Sequence, residues 1–175
     1  TVERGVLSVL QTRSAETEHM FEPRTFCAPG PACGRGIGVM GGAFRGVAAF
    51  NEDQARRLAN SLNTDSAEVD GVLLVLENPV PDQIPLILSV DGLLAARGGS
   101  TSHAAVAVHG IDDRPYAAVL GVAELRVFRD EAVLVGLGGE VAFTLNFGDT
   151  VSIHGQTGEV YVGTREVLGV QPSTP

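Results

Sequence analysis

The chain has 175 residues, which at roughly 150 residues per domain means one domain with a short extension. Apolar residues make up 44% and charged residues 19%, so a real core can form and disordered or fibrous classes are excluded. All 12 basic residues are arginine, set against 21 acidic residues for a net charge of −9. Without lysine there is no Schiff-base chemistry, no pyridoxal phosphate attachment and no Walker-A loop. The negative field repels nucleic acid and anionic lipid, so neither is an expected partner. Any phosphate handled here must be held by backbone amides, hydroxyls or arginines.

Residues 1–34 read as a connector or the edge of a neighbouring domain. TVERGVLSVLQTRSAETEHM has weak helical periodicity, and EPRTFCAPGPACGRG is rich in proline and glycine. Cys27 and Cys33 lie too far apart for a CxxC pair and lack partners for a zinc site. Their pairing stays open between one disulfide and two thiols of a reduced cytoplasm. No apolar run approaches the roughly 18 residues of a membrane span, since Glu77 and Asp82 interrupt the best one. The first residues also lack the basic-then-apolar pattern of a secretory signal. A cytoplasmic chain without membrane contact is expected.

From residue 35 to residue 168 the punctuation is regular, and 169–175 reads as a tail. Gly46 to Phe50 is an apolar run bounded by Gly and Asn, hence a buried strand. Asn51 is a good N-cap for EDQARRLANSL, with acids early and arginines later as the helix dipole prefers. Gly71 to Glu77 is a second strand, ended by Asn-Pro, and Pro81 suits the first turn of a helix over PDQIPLILS. Gly92 to Arg97 is a third strand. TSHAAVAVHG is a two-turn helix of small residues, and Ala117 to Gly121 is a fourth strand. LRVF, AVLVGL, VAFTLN, DTVSIHG and GEVYVG follow as β-segments separated by turn signals. The chain is therefore α/β, alternating in its first half and strand-rich in its second. That pattern argues for a layered domain and against a doubly wound nucleotide fold.

The segment that carries chemistry is ARGGSTSHAAVAV, Ala96 to Val108. A strand ends at Arg97, Gly98 and Gly99 permit a tight turn, and the helix begins at Thr101 or Ser102 with His103 in its first turn. The unpaired amides and positive dipole end of such a turn disfavour imidazolium and favour an incoming anion. Thr101 and Ser102 add hydroxyls, the glycines let a ligand approach the backbone, and Ala104 and Ala105 keep bulk away from the ring. Such a site can form phosphohistidine. The same residues also describe an ordinary capped helix with a histidine in turn one, and local physics leaves both readings open.

Taken as a whole, GGSTSHAA resembles the phosphohistidine motif of the phosphoenolpyruvate-utilising enzymes, and its TSHAA form looks most like that of the pyruvate phosphate dikinases. GLLAARGGSTSHAAVAV is similar to that family's strand-turn-helix, and GGAFRGVAAF to its glycine-rich first strand. GVAELRV and FGDTVSIHGQTGEVYVG look like the segments that follow in dikinases. The resemblance implies a swivelling domain of β/β/α layers whose histidine, here His103, carries a phosphoryl group between two active sites. Gly98, Gly99, Thr101 and Ser102 would shape the phosphoryl site, and Thr101 falls on a regulatory phosphorylation site of plant dikinases. It also implies partner domains, one binding ATP and one binding phosphoenolpyruvate or pyruvate, with magnesium bound there and no metal or cofactor bound here. The chain would thus be the carrier of a dikinase-like phosphotransferase and would not turn over alone. The other reading is a non-catalytic docking or regulatory module that keeps the fold.

The chain departs from the family pattern in three places. His109 stands where the family usually has arginine, Met40-Gly41 replaces Ser-Pro, and the loop Ile111 to Ala117 looks long. Other candidates have plainer readings. Asp112 and Asp113 suit a solvated turn more than a magnesium site. Arg97 is either a phosphoryl partner or a side chain snorkelling at a strand end. His154 falls in a hairpin turn, His19 in the connector, and His109 at the helix C-terminus. Gly34 to Gly38 and Gly136 to Gly139 are weak matches to dinucleotide loops.

Overall fold

In the computed structural model, residues 32–62 and 69–163 are described in full, and 25–26 and 167–168 as backbone. The expected connector and tail fall largely outside these residues, as do His19 and Cys27.

Four apolar runs become parallel strands because each of the first three is followed by a helical segment long enough to return the chain to the start of the next. These are β4 (Ala43–Ala49), β5 (Gly71–Leu76), β6 (Gly92–Ala95) and β7 (Ala117–Leu120). Between them run α1 (Glu52–Ser61), a 3-10 turn (Pro81–Gln83) leading into α2 (Ile84–Ser89), and α3 (His103–His109). Successive strands are neighbours, so crossovers of one hand place all three helices on one face of the sheet. Asn51 caps α1 as expected, its side chain accepting from the Gln54 N–H at 2.9 Å. The acids of α1 stand in its first turn, but its arginines lie mid-helix and the last turn carries no basic residue.

Antiparallel strands extend the sheet on both sides. β2 (Gly34–Arg35), β12 (Glu159–Val162) and β11 (Thr150–His154) lead to β4, and β3 (Ile37–Met40) pairs with β7 at the other edge. The sheet order is β2-β12-β11-β4-β5-β6-β7-β3. β1 (Thr25–Phe26) pairs antiparallel with β13 (Val167–Leu168). A separate antiparallel sheet, β10-β9-β8, is built from β8 (Leu125–Val127), β9 (Glu131–Val135) and β10 (Val141–Asn146).

The central strands alternate between two cores. Val47, Leu74, Leu93 and Leu120 pack with Ala55, Leu58, Ile87 and Val108 of the helices. Phe44, Leu73, Val75, Leu94 and Val119 pack instead with Leu125, Leu134 and Leu145 of the three-stranded sheet. With no face left for water, β5 and β6 must be apolar at nearly every position, which is why they read as unbroken runs. Each fully buried leucine contributes about 1.5–3 kcal/mol. The chain is a mixed α/β structure, strand-rich with few helices.

The glycine-rich stretch before β4, a weak match to a dinucleotide loop, is strand. Gly34 to Gly38 forms no loop: it supplies β2 and the start of β3. A Cβ on Gly38 would stand 2.4 Å from the carbonyl oxygen of Gln156, so glycine is needed for the close passage of two backbones. Gly136 to Gly139 belongs to the turn joining β9 to β10.

Candidate functional site

The parallel strands β4 to β7 end at one edge of the sheet. There lie Asn51, Glu77, the turn from Arg97 to Ser102, and Gly121. This edge is where open α/β sheets place their ligands.

Beyond Ala95 the ladder continues for two more bonds, Ala96 N–H to the Leu76 carbonyl and Arg97 N–H to the Glu77 carbonyl, both at 3.0 Å. The chain then turns at Gly98, whose φ of +113° is a conformation that side chains rarely adopt. The Gly99 carbonyl accepts from the Ser102 N–H at 3.1 Å, closing the turn. Ser102 is the N-cap of α3, its Oγ accepting from the Ala105 N–H at 3.3 Å. That bond leaves the hydroxyl proton of Ser102 able to donate elsewhere.

His103 is therefore the first residue of α3, and it is exposed. The helix buries Ala104, Ala105 and Val108 against the sheet, so the ring leaves from the opposite side. Alanine at 104 and 105 lets the backbone of α3 approach the sheet closely. The five expected site residues thus share one connection. Gly98 comes close to Ser102, since a Cβ on it would lie 3.6 Å from the Ser102 Oγ. Nothing stands within 4 Å of the Cβ direction of Gly99, and Thr101 is exposed.

Glu77 belongs with this group, and no short motif pointed to it. One of its carboxylate oxygens accepts from the Val127 N–H at 2.8 Å, and the other lies 3.6 Å from Nε of Arg97. It bridges the ends of β5, β6 and β8. The only sequence signal was a carboxylate closing an otherwise apolar strand, and its partners lie 20 and 50 residues away. A cavity of about 590 Å³ opens beside it, lined by Phe50, Asn51, Val127, Phe128 and Arg129 among others.

His154 ends β11 and is buried; its Nδ1 accepts from the Gln156 and Thr157 N–H groups, each at 3.3 Å, and so organises the hairpin turn. Burial pushes its pKa down, partly opposed by the Glu159 carboxylate. His109 is exposed at the end of α3. Asp112 and Asp113 are exposed in the turn before Pro115. The rest of that loop is built into the fold. Arg114 donates to the Leu88 carbonyl and lies 3.7 Å from Asp91, while its guanidinium sits 5.7 Å from the centre of the Tyr116 ring. Burial raises the pKa of the Tyr116 hydroxyl far above its ordinary value. Cys33 is a free, half-buried thiol. Among the described residues no helix is long and apolar enough to cross a membrane.

Comparison with known proteins gives the family. Residues 68–158, which include Glu77 and the whole turn from Arg97 to His103, match the family model described as "PEP-utilising enzyme, mobile domain". The chain is 33% identical over 129 residues to "Pyruvate, phosphate dikinase 1, chloroplastic" of Arabidopsis thaliana, covering 74% of this chain and 12% of that protein. It is 32% identical over 146 residues to the pyruvate, phosphate dikinase of Clostridium symbiosum, covering 83% and 15% respectively. For the Rhizobium meliloti (strain 1021) dikinase the identity is 31% over 139 residues, covering 79% and 14%. The chain therefore spans about one-seventh of the length of these curated relatives or less. The strand-turn-helix around His103, within a matched segment that takes in most of the parallel sheet, makes this chain a member of the mobile-domain family of phosphoenolpyruvate-utilising enzymes.

Proposed function

We propose that the chain is the phosphoryl carrier of a dikinase-like phosphotransferase, with His103 as acceptor and donor. The observation that carries this reading is an exposed imidazole at the first residue of α3, reached across an open glycine turn, in a chain of this family. The two cores on either face of the main sheet are read as the β/β/α layers of a swivelling domain.

In the first step a ring nitrogen of neutral His103 gives its lone pair to phosphorus. A P–N bond forms, the donor's P–O bond breaks, and the electron pair leaves on the donor oxygen. In the second step an acceptor oxygen attacks phosphorus, and the P–N electrons return to the ring. Gly98 and Gly99 give access to phosphorus, and the Thr101 and Ser102 hydroxyls donate to its oxygens without adding charge. ATP-binding and phosphoenolpyruvate- or pyruvate-binding partner domains would supply and receive the group, and magnesium would belong to them. A phosphate on Thr101 would bring roughly −1.5 to −2 charge within two residues of His103 and oppose loading. The cytoplasm is the compartment that fits this role.

The test is incubation with the remainder of the parent enzyme, magnesium and phosphoenolpyruvate, followed by intact mass and peptide mapping. An acid-labile phosphoryl group on His103, absent from His103→Ala, supports the carrier. An unmodified His103, beside a partner competent with another histidine domain, overturns it in favour of a docking module.

A further inference from the structure

We infer that Arg97 is the cationic partner of the phosphoryl group on His103, and that Glu77 holds it in waiting while the histidine is bare. The inference rests on the carrier reading and adds a residue, and a means of releasing it, to the same site.

Three observations carry it. The first is position. Arg97 is the last residue of the β6 ladder before the turn, and Gly98 lies against Ser102, the neighbour of His103. The chain thus doubles back, and an arginine side chain is long enough to cover the space beside the ring.

The second is the weakness of its present engagement. Nε of Arg97 stands 3.6 Å from Glu77, its side chain is 72% exposed, and Glu77 already gives its other oxygen to the Val127 N–H. An exposed pair at this separation contributes little and is easily exchanged. A phosphoryl group offers three oxygens and nearly two charges, so it competes well against one half-committed carboxylate.

The third is the lack of alternatives on this turn. The chain has no lysine, and among the described residues Arg35, Arg45, Arg56 and Arg114 are paired with carboxylates elsewhere, Arg126 donates to the Ala123 and Leu125 carbonyls, and Arg57 belongs to α1. Arg129 faces the cavity beyond Glu77 and serves as the control.

Loading His103 would then move the guanidinium from Glu77 to phosphate, and Glu77 would keep only its bond to β8. Guanidinium also stabilises the negative charge at phosphorus during attack, so the same residue speeds loading and protects the product. Arg97 acts by charge, and no bond to it forms or breaks.

The test uses the full 175-residue chain and phosphoramidate as donor, so that no partner domain is needed. In that reaction a ring nitrogen of His103 bonds to phosphorus and the donor P–N bond breaks. Ammonia leaves with the electron pair and takes up the ring proton as ammonium. Phosphorus NMR follows the rate of loading and the pH at which the attached phosphoryl group titrates.

Arg97→Ala should slow loading about fivefold and raise the titration midpoint, and Arg97→Lys should recover part of both. Glu77→Gln keeps an acceptor for the Val127 N–H but frees the guanidinium. It should speed loading about twofold and lower the midpoint. All these differences should shrink in about 0.5 M salt. A merely structural role for the pair would make both variants slower, with no opposite signs.

Arg97→Ala indistinguishable from wild type, or its effect reproduced by Arg129→Ala, overturns the Arg97 assignment and leaves the carrier reading in place. Failure of the wild type to load His103, while free imidazole in the same tube is phosphorylated, overturns both. Circular dichroism and thermal midpoints matching wild type establish that each variant is folded.

Discussion

The buried hydroxyl of Tyr116 donates to the carbonyl of Ile87 across 2.7 Å, joining the loop after α3 to the last turn of α2. Arg114 reaches the next carbonyl, that of Leu88, and the Asp91 carboxylate. The loop from Ile111 to Ala117 therefore fixes the spacing between the two helices that flank β6. This gives the loop a structural role, independent of any ligand.

Tyr116→Phe removes one proton donor, leaves the ring in place and strands a helix-end carbonyl that is far from bulk water. The expected loss is about 1–2 kcal/mol of unfolding free energy, read from urea denaturation with an unchanged slope. Loading of His103 should be unaffected, because the bond lies on the far side of α3 from the turn. A variant as stable as wild type would show that the hydroxyl is equally well satisfied by water.

His103→Ala should abolish phosphoryl transfer while leaving the thermal midpoint within a few degrees of wild type, since its side chain is exposed and N1 tolerates alanine. Thr101→Glu should weaken transfer by setting a carboxylate beside the incoming phosphoryl group. Radiolabel from phosphoenolpyruvate in the reconstituted enzyme measures both. Residual transfer by His103→Ala would remove the histidine from the mechanism.

The two glycines of the turn should respond differently to alanine. At Gly98 the neighbours are at ordinary contact distance, but φ is +113°, so the cost is backbone strain of about 1–3 kcal/mol. Gly99 has neither a positive φ nor a neighbour within 4 Å, and Gly99→Ala should shift stability by no more than about 0.5 kcal/mol. Its methyl group would instead stand in open space beside the phosphoryl route and slow loading. Denaturation and loading rates, compared between the two variants, separate strain from obstruction.

His154 makes stability depend on pH. Its folded pKa is depressed, mainly by burial, and the neutral Nδ1 is needed to accept two backbone N–H groups. The unfolded imidazole takes up a proton near pH 6.5, whereas the folded one resists it. Stability should be flat above that pH for this group and should fall as pH drops from about 6.5 toward the folded pKa. His154→Gln retains an acceptor without titrating and should flatten this segment of the profile. Equal slopes for the two proteins would place the dependence on other groups.

How much of this was legible in the sequence depended on what each residue answers to. Gly71 to Leu76 and Gly92 to Ala95 are covered on both faces, so burial wrote itself as continuous apolar runs. Asn51 and Ser102 act within three residues of themselves, and local caps leave local signatures. Gly34 to Met40 was opaque because its strands are partly exposed and because Gly36 and Gly38 answer to backbones that arrive at Leu120, Gly155 and Gln156. The same distinction divides the site. His103 and its turn form one short motif, whereas Glu77 matters through Arg97 and Val127, and no local pattern encodes that meeting.

The pairing of Thr25–Phe26 with Val167–Leu168 has a mechanical consequence. The incoming and outgoing leads of the body run side by side, as the two halves of a cord tied at one knot. Two segments from opposite ends of the chain are thereby held against each other by backbone hydrogen bonds. With the central strands sealed on both faces, no layer of the body between them can shift without exposing core to water.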